Sequence, residues 1–242
     1  MLIGGRRFLP TWLSVALTAA GVSLFVALGM WQLERADLKE AIELKFEQRL
    51  TQPYQAFSPG DELDDDLADL EFRKLRLQGR YDNSRSLLVD NKLHRGRAGY
   101  YVVTPLQLRD SDHLVLVNRG WVAWGESRDE LAPIPDPVSA GGVAGIAYFP
   151  SEPALQLGDV EASAGWPLLV SHIDIEALQA RYQGRLLPLV LWLAPEQQGA
   201  YVREWNPVWM RPEKSRAYAT QWFAFAVLAL VFFVTLNLRK IE

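Results

Sequence analysis

The chain has 242 residues, 49% of them hydrophobic, no cysteine and a formal charge of −4, which bounds it at one ordinary domain or two small ones. Without cysteine there is no disulfide, no thiolate metal site and no Cys-x-x-Cys redox or copper-delivery chemistry, and an acidic balance with no Lys/Arg cluster speaks against nucleic acid. The 54 charged residues are missing from two runs, 8–33 and 217–238, so the other 194 residues are about 28% charged, a soluble-domain composition. Two runs are too few for a many-helix transporter, and their length is that of a bilayer crossing, which about 20 apolar residues provide.

The first run carries Trp12 and Trp31 near its ends, where indole rings favour the membrane interface, and reads as a spanning helix over 11–33. Arg6 and Arg7 before an apolar core, with Ala27-Leu28-Gly29 after it, make a cleaved signal peptide the rival reading. The helix is expected to continue beyond the membrane, because Leu33, Leu38, Ile42 and Phe46 recur at helical spacing among charges. Residues 61–71 then hold seven acidic side chains without the order of a calcium loop, and read as a solvated loop or helix start.

From Phe72 the pattern becomes short β-type runs at 72–81, 86–93, 100–109 and 113–122, separated by turn residues and expected to form a meander. Further strands are expected at 142–149, 167–173 and 186–194, after a stretch holding Pro133, Pro135 and Pro137, with one amphipathic helix at 174–182. The second membrane run, 217–238, is entered through Trp205, Trp209 and Trp222 and ends at Arg239 and Lys240. Thr220, Gln221, Thr235 and Asn237 are polar groups in that apolar helix, and hydrogen bonding to a neighbouring helix is their usual explanation. The fold class expected is therefore an α+β membrane protein. Two transmembrane helices flank a mainly antiparallel β extracytoplasmic domain, a barrel or sandwich with short helices. Its divisions are a tail at 1–10, a helix at 11–33, the domain at 34–216, a helix at 217–238 and a tail at 239–242.

The basic tails would lie in the cytoplasm by the positive-inside rule, leaving −7 on the middle of the chain and placing that domain outside. Chemistry is sparse: no nucleophile elbow, Walker loop, dinucleotide fingerprint or His-Glu-x-x-His occurs. His94, His113 and His172 lie far apart and read as surface residues, and no acidic pair is marked out for acid–base work. Asn118-Arg119-Gly120-Trp121 directly follows an apolar run, and Gly120 suits a bulge that re-aims Arg119 and Trp121. A structural bulge is the favoured reading and a ligand contact the alternative.

Five ordered motifs resemble the surfeit locus family of cytochrome c oxidase assembly factors. They are Gly29-Met30-Trp31-Gln32 with Arg35 and Lys39, Gly79-Arg80-Tyr81, Gly99 through Leu106, Val115 through Val122, and Tyr218-Ala219-Thr220-Gln221-Trp222-Phe223. The resemblance implies a bacterial inner-membrane protein, multi-pass with a large periplasmic domain. It implies no enzymatic activity, but assistance to the maturation of oxidase subunit I, centred on haem a insertion. Oxidase subunit I, haem a synthesis proteins and the lipid bilayer are the implied partners, and haem a is the implied cofactor. Members commonly carry a histidine three residues before the tyrosine of the last motif; here the position is Ser215, and a serine hydroxyl is not among the usual axial haem ligands. Tyr218 is the nearest residue of a ligating type, and Tyr218, Gln221 and Trp222 are the haem-proximal candidates. The motif residues Trp31, Gln32, Arg35, Asn118, Arg119, Gly120 and Trp121 are the other positions to mutate first. A membrane-anchored scaffold unrelated to oxidases, and an anchored hydrolase, are the alternatives. The short N-terminal tail leaves no room for a mitochondrial transit peptide, which favours the bacterial membrane.

Overall fold

The computed structural model describes residues 2–3, 6–58, 67–125, 134–137, 142–150, 165–199, 201–208 and 211–240. Residues 61–66 of the acidic run, Pro133 and Trp209 lie outside them. The chain divides into two compact units, Met1–Lys45 with Asn206–Glu242, and Phe46–Trp205.

The first unit is an antiparallel pair of helices. The helix α1 (Trp12–Leu50) starts at Thr11, whose side chain accepts from the Ser14 backbone N–H at 3.2 Å while the Ser14 hydroxyl accepts from the Thr11 N–H at 3.1 Å, a reciprocal cap. It runs unbroken from the apolar stretch into the charged one, as the spacing of Leu33, Leu38, Ile42 and Phe46 predicts. The helix α3 (Pro212–Leu236) begins with proline at its first position, where the missing N–H costs nothing. It stops two residues short of the expected 238, because the Asn237 amide turns back to donate to the Phe233 carbonyl at 2.7 Å. Both helices have a mean hydropathy of 2.0 over their most apolar window, yet only 6% and 11% of those windows is buried. They are long and apolar enough to cross a membrane.

Contacts along the pair keep one register. Ser14 Oγ meets Asn237 Oδ1 at 3.3 Å, Phe25 stacks on Trp222 with ring centroids 6.0 Å apart, and a Cβ on Gly29 would stand 2.6 Å from the Phe223 ring. Glycine at that point allows the close approach. The two ends of the chain, read from sequence as separate basic tails, join in a small antiparallel sheet of β1 (Leu2–Ile3), β2 (Arg6–Phe8) and β12 (Leu238–Lys240), with Arg7 opposite Arg239.

The second unit is built on one mixed sheet that closes on itself. Its strands are β3 (Gln55–Ala56), β4 (Lys74–Leu77), β5 (Gly79–Tyr81), β6 (Leu87–His94), β7 (Arg97–Leu108), β8 (His113–Ala123), β9 (Val143–Tyr148), β10 (Leu168–Val170) and β11 (Arg185–Leu193). The short helix α2 (Ile175–Gln179) is capped by Asp174, which accepts from the Ala177 N–H at 2.9 Å. Strands β6, β7 and β8 form the expected meander. The run 72–81 does not join it as a fourth neighbour. It breaks at Gln78 into β4, which pairs antiparallel with β9, and β5, which pairs antiparallel with the far end of β7. Because β8 pairs parallel with β11 and β11 antiparallel with β9, the ring β7–β8–β11–β9–β4/β5–β7 closes as a barrel. Most pairs are antiparallel; β3–β4, β6–β10 and β8–β11 are the parallel ones.

Alternation along these strands turns every second residue inward. Leu75 and Leu77, Leu106 and Leu108, Val115 and Val117, and Leu187, Leu189, Leu191 and Leu193 fill the barrel. Burying each leucine is worth roughly 1.5–3 kcal/mol. An aromatic layer of Tyr148, Trp192 and Trp205 stacks at centroid spacings of 4.3 and 5.3 Å, and Phe46 meets Phe72 edge-on at 5.3 Å.

Candidate functional site

The segment Asn118–Trp121 is a bulge, as its glycine suggests. In the β7–β8 ladder Val103 faces Asn118 and Val102 faces Gly120, so Arg119 is the extra residue. Gly120 takes φ +124°, and a Cβ there would come 2.6 Å from the Val202 carbonyl, so only glycine fits without strain. The Asn118 amide oxygen accepts from the Gly120 N–H at 3.1 Å and holds the turn. Trp121 is locked on both sides: its backbone N–H donates to Val202 O at 2.8 Å and its indole N–H to Lys92 O at 2.9 Å.

The bulge sends the Arg119 side chain inward, where the residue is 5% exposed. Its Nη1 donates to Asn83 Oδ1 at 2.9 Å and to Thr104 Oγ1 at 3.3 Å, and its Nη2 to the Pro135 carbonyl at 2.6 Å. Thr104 in turn shares a 3.0 Å bond with Ser86, and the Asn83 amide donates to Asp136 at 2.8 Å. Burial pulls the guanidinium below its ordinary pKa, opposed by Tyr201, Tyr81 and Asp136, but arginine stays charged. Among the described residues no carboxylate lies within ion-pair distance of it. The ring of Tyr201 faces the guanidinium at 5.2 Å, a cation–π contact. Arg119, Pro135, Asp136 and Tyr201 line a cavity of about 190 Å3 together with Tyr81, Leu193 and Gly199.

Sequence reasoning singled out Arg119 but not Asn83, Thr104, Tyr81, Pro135 or Tyr201, which reach it from four other segments. Thr104 and Tyr81 stood inside motifs, yet nothing in their spacing announces a meeting across the barrel. Asp90 is a second departure: it is buried on β6 and accepts from the Trp124 indole at 3.1 Å, in an apolar setting that the sequence did not mark. The three histidines are half-buried rather than exposed, with His94 beside the Trp121 ring at 5.0 Å and His113 Nδ1 bonded to Ser111 at 2.7 Å. Among the described residues no group of acidic and histidine side chains could hold a metal.

In the helix pair, the Gly29 and Phe223 motifs meet, while the candidates Tyr218, Gln221 and Trp222 do not converge. Tyr218 is 45% exposed and Gln221 shares its outer face three residues on, whereas Trp222 turns inward onto Phe25. The polar residues of α3 differ from expectation. Thr220 and Thr235 donate to carbonyls of their own helix at 3.1 and 3.2 Å, while Asn237 accepts across from Ser14. A hydroxyl one helical turn from a carbonyl finds its acceptor locally, which removes the need for a neighbour. Trp31 is exposed with the Arg35 guanidinium 4.9 Å over its ring, and Gln32 is half-buried. Ser215 is 2% exposed and accepts from Lys39 Nζ at 2.9 Å; next to it Arg216 pairs with Glu40.

The chain is similar to several curated proteins. A SURF1-like protein of Drosophila melanogaster is 32% identical over 123 residues, 44% of this chain and 40% of that protein. The cytochrome oxidase assembly protein SHY1 of Saccharomyces cerevisiae is 31% identical over 110 residues, 44% of this chain and 26% of that protein. A SURF1-like protein of Rickettsia bellii is 31% identical over 100 residues, 40% of this chain and 39% of that protein. In each case the match spans less than half of the relative's length. The family model matches residues 19–227, from the first apolar helix through the whole β unit and into the second, and the chain belongs to the SURF1 family.

Proposed function

We propose that the chain is a non-catalytic assembly factor for a haem-copper cytochrome c oxidase, acting in the bacterial inner membrane on the maturation of subunit I around haem a insertion. The observation that carries this reading is the family match across residues 19–227, joined to a relative whose name is that of an oxidase assembly protein. The two helices anchor the chain by crossing the bilayer, and the β unit stands on the periplasmic side. Helix surfaces that leave only 6% and 11% of their apolar windows buried are consistent with a lipid surround. The outer face carrying Tyr218 and Gln221 offers a phenol and an amide to a partner helix of subunit I or of a haem a synthesis protein, since such groups hydrogen-bond across helices in lipid.

The residues present do not fit axial haem ligation at the position where family members commonly hold histidine. Ser215 is buried against α1 with its hydroxyl engaged by the Lys39 ammonium, and serine is not a usual haem ligand. The reading therefore has the chain assisting the nascent subunit without holding haem a through Ser215. Spectra of membranes from a strain lacking the gene test it. Loss of the haem a bands with other cytochromes intact is expected, and unchanged bands would contradict it. A Soret band on the purified protein that vanishes in Tyr218→Phe would instead make Tyr218 a ligand.

A further inference from the structure

The cavity beside the β8 bulge has the hydrogen-bond donors Arg119, Tyr81 and Tyr201 in its lining. Arg119 spends three bonds on Asn83, Thr104 and Pro135, all through its terminal nitrogens. Its Nε–H and the second Nη2–H make no hydrogen bond among the described residues. Tyr201, 8% exposed, has a buried hydroxyl with no hydrogen-bond partner. Tyr81 lines the same cavity and is half-buried; burial raises its pKa, opposed by Arg119 and Arg203, so the phenol keeps its proton and can donate. Burial raises Tyr201 likewise.

A buried donor without an acceptor, such as the Tyr201 hydroxyl, is costly, and a buried cation more so. The one anionic side chain lining the cavity is Asp136, which is exposed and bonded to Asn83. Against it stand Arg119 and, behind the 194–199 turn, Arg203, whose guanidinium donates to the carbonyls of Ala194, Gln197 and Gly199 at 2.9, 2.7 and 3.1 Å. The balance favours an acceptor-only, anionic occupant. A planar carboxylate can take the two remaining N–H groups of one guanidinium side by side and still accept from a phenol. The cavity is small, about 190 Å3, which suits a short acid or the last residue of a chain.

We infer that the cavity lined by Arg119, Tyr81 and Tyr201 is a binding site for a single carboxylate group, carried by a small organic acid or by the C-terminus of a peptide. The inference does not depend on the oxidase reading.

Full-length protein in lipid nanodiscs is titrated with acetate and succinate, with a tripeptide bearing a free C-terminus, and with the same tripeptide amidated; melting temperature and calorimetric heat are the readouts. A saturable response to the small acids, or to the free peptide alone, is expected, and which of them responds identifies the source of the carboxylate. Tyr201→Phe removes only an unbonded hydroxyl, so it should fold and melt as the parent does, yet weaken carboxylate binding about tenfold, the value of one hydrogen bond to a charged group. Arg119→Gln should abolish the response. The inference is overturned by no saturable response to any carboxylate, by an equal response to the amidated peptide or to chloride at matched ionic strength, or by full-strength binding in Tyr201→Phe.

Discussion

In the β unit most leucines point inward and most charges outward, Arg119 and Asp90 being buried exceptions; in the helix pair the large apolar side chains Leu17, Leu24, Val227, Leu228 and Phe232 point outward, and small residues such as Ala36, Ser215, Ala219 and Ala226 are buried. Polar groups follow the same inversion. The barrel wall buries Arg119, Asn118, Thr104 and Ser86 in a bonded network, whereas Thr220 and Thr235 fold back onto their own helix. One chain thus carries two packing solutions. An apolar surface of this extent suits an apolar phase over it, as a leucine-filled barrel suits water outside.

Substitutions at matched residue types break or sharpen that contrast. The largest effect is expected for Leu191→Ala inside the barrel, fully buried, where a cavity left behind should cost about 3 kcal/mol in urea unfolding of the β unit. Gly120→Ala forces a side chain at φ +124° against the Val202 carbonyl and should cost about 2–3 kcal/mol, with Arg119 drawn out of its network. In the helix pair, Gly29→Val should cost about 1–3 kcal/mol by pressing on the Phe223 ring, and Phe223→Ala should recover most of it in the double mutant. Reduced cross-linking between cysteines placed at Ser14 and Asn237 would report that separation.

Acid should act on the β unit. Burial would raise the Asp82 carboxyl, but hydrogen bonds from Ser84 and Arg85 overcome it and hold it below its ordinary value. Glu196 is held down by the Tyr54 hydroxyl at 2.5 Å and by its own backbone. Depressed carboxylates give stability that is complete above their unfolded pKa values and lost as pH falls through the folded ones, so the urea midpoint should fall below about pH 4. Asp82→Asn should flatten that fall. The smallest effect is expected for Leu228→Ala on the outer face of α3, under about 0.5 kcal/mol in a bilayer despite deleting the same atoms as Leu191→Ala.

What the sequence discloses is local. Two-residue alternation and turn chemistry place the strands within a few residues, the 3.6-residue recurrence carries α1 past the membrane run, and Gly120 announces its bulge. What it conceals is pairing between distant segments. Nothing near residues 72–81 says that they split at Gln78 to close a barrel, and nothing in β8 names β11 as its parallel partner. The basic ends read as separate tails, yet β2 and β12 join them from opposite ends of the chain. The Arg119 cluster is concealed for the same reason: its acceptors lie 15 to 36 positions away and meet it only once the ring is closed. The Lys39–Ser215 bond, across 176 positions, depends likewise on the two helices lying side by side.

The claim on which the rest turns is that lipid covers the helix pair while the β unit faces the periplasm. Protease added to intact spheroplasts measures it directly. Digestion within residues 46–205 with an epitope beside Arg7 left intact is the result predicted; a protected β unit with the epitope cleaved would contradict the account.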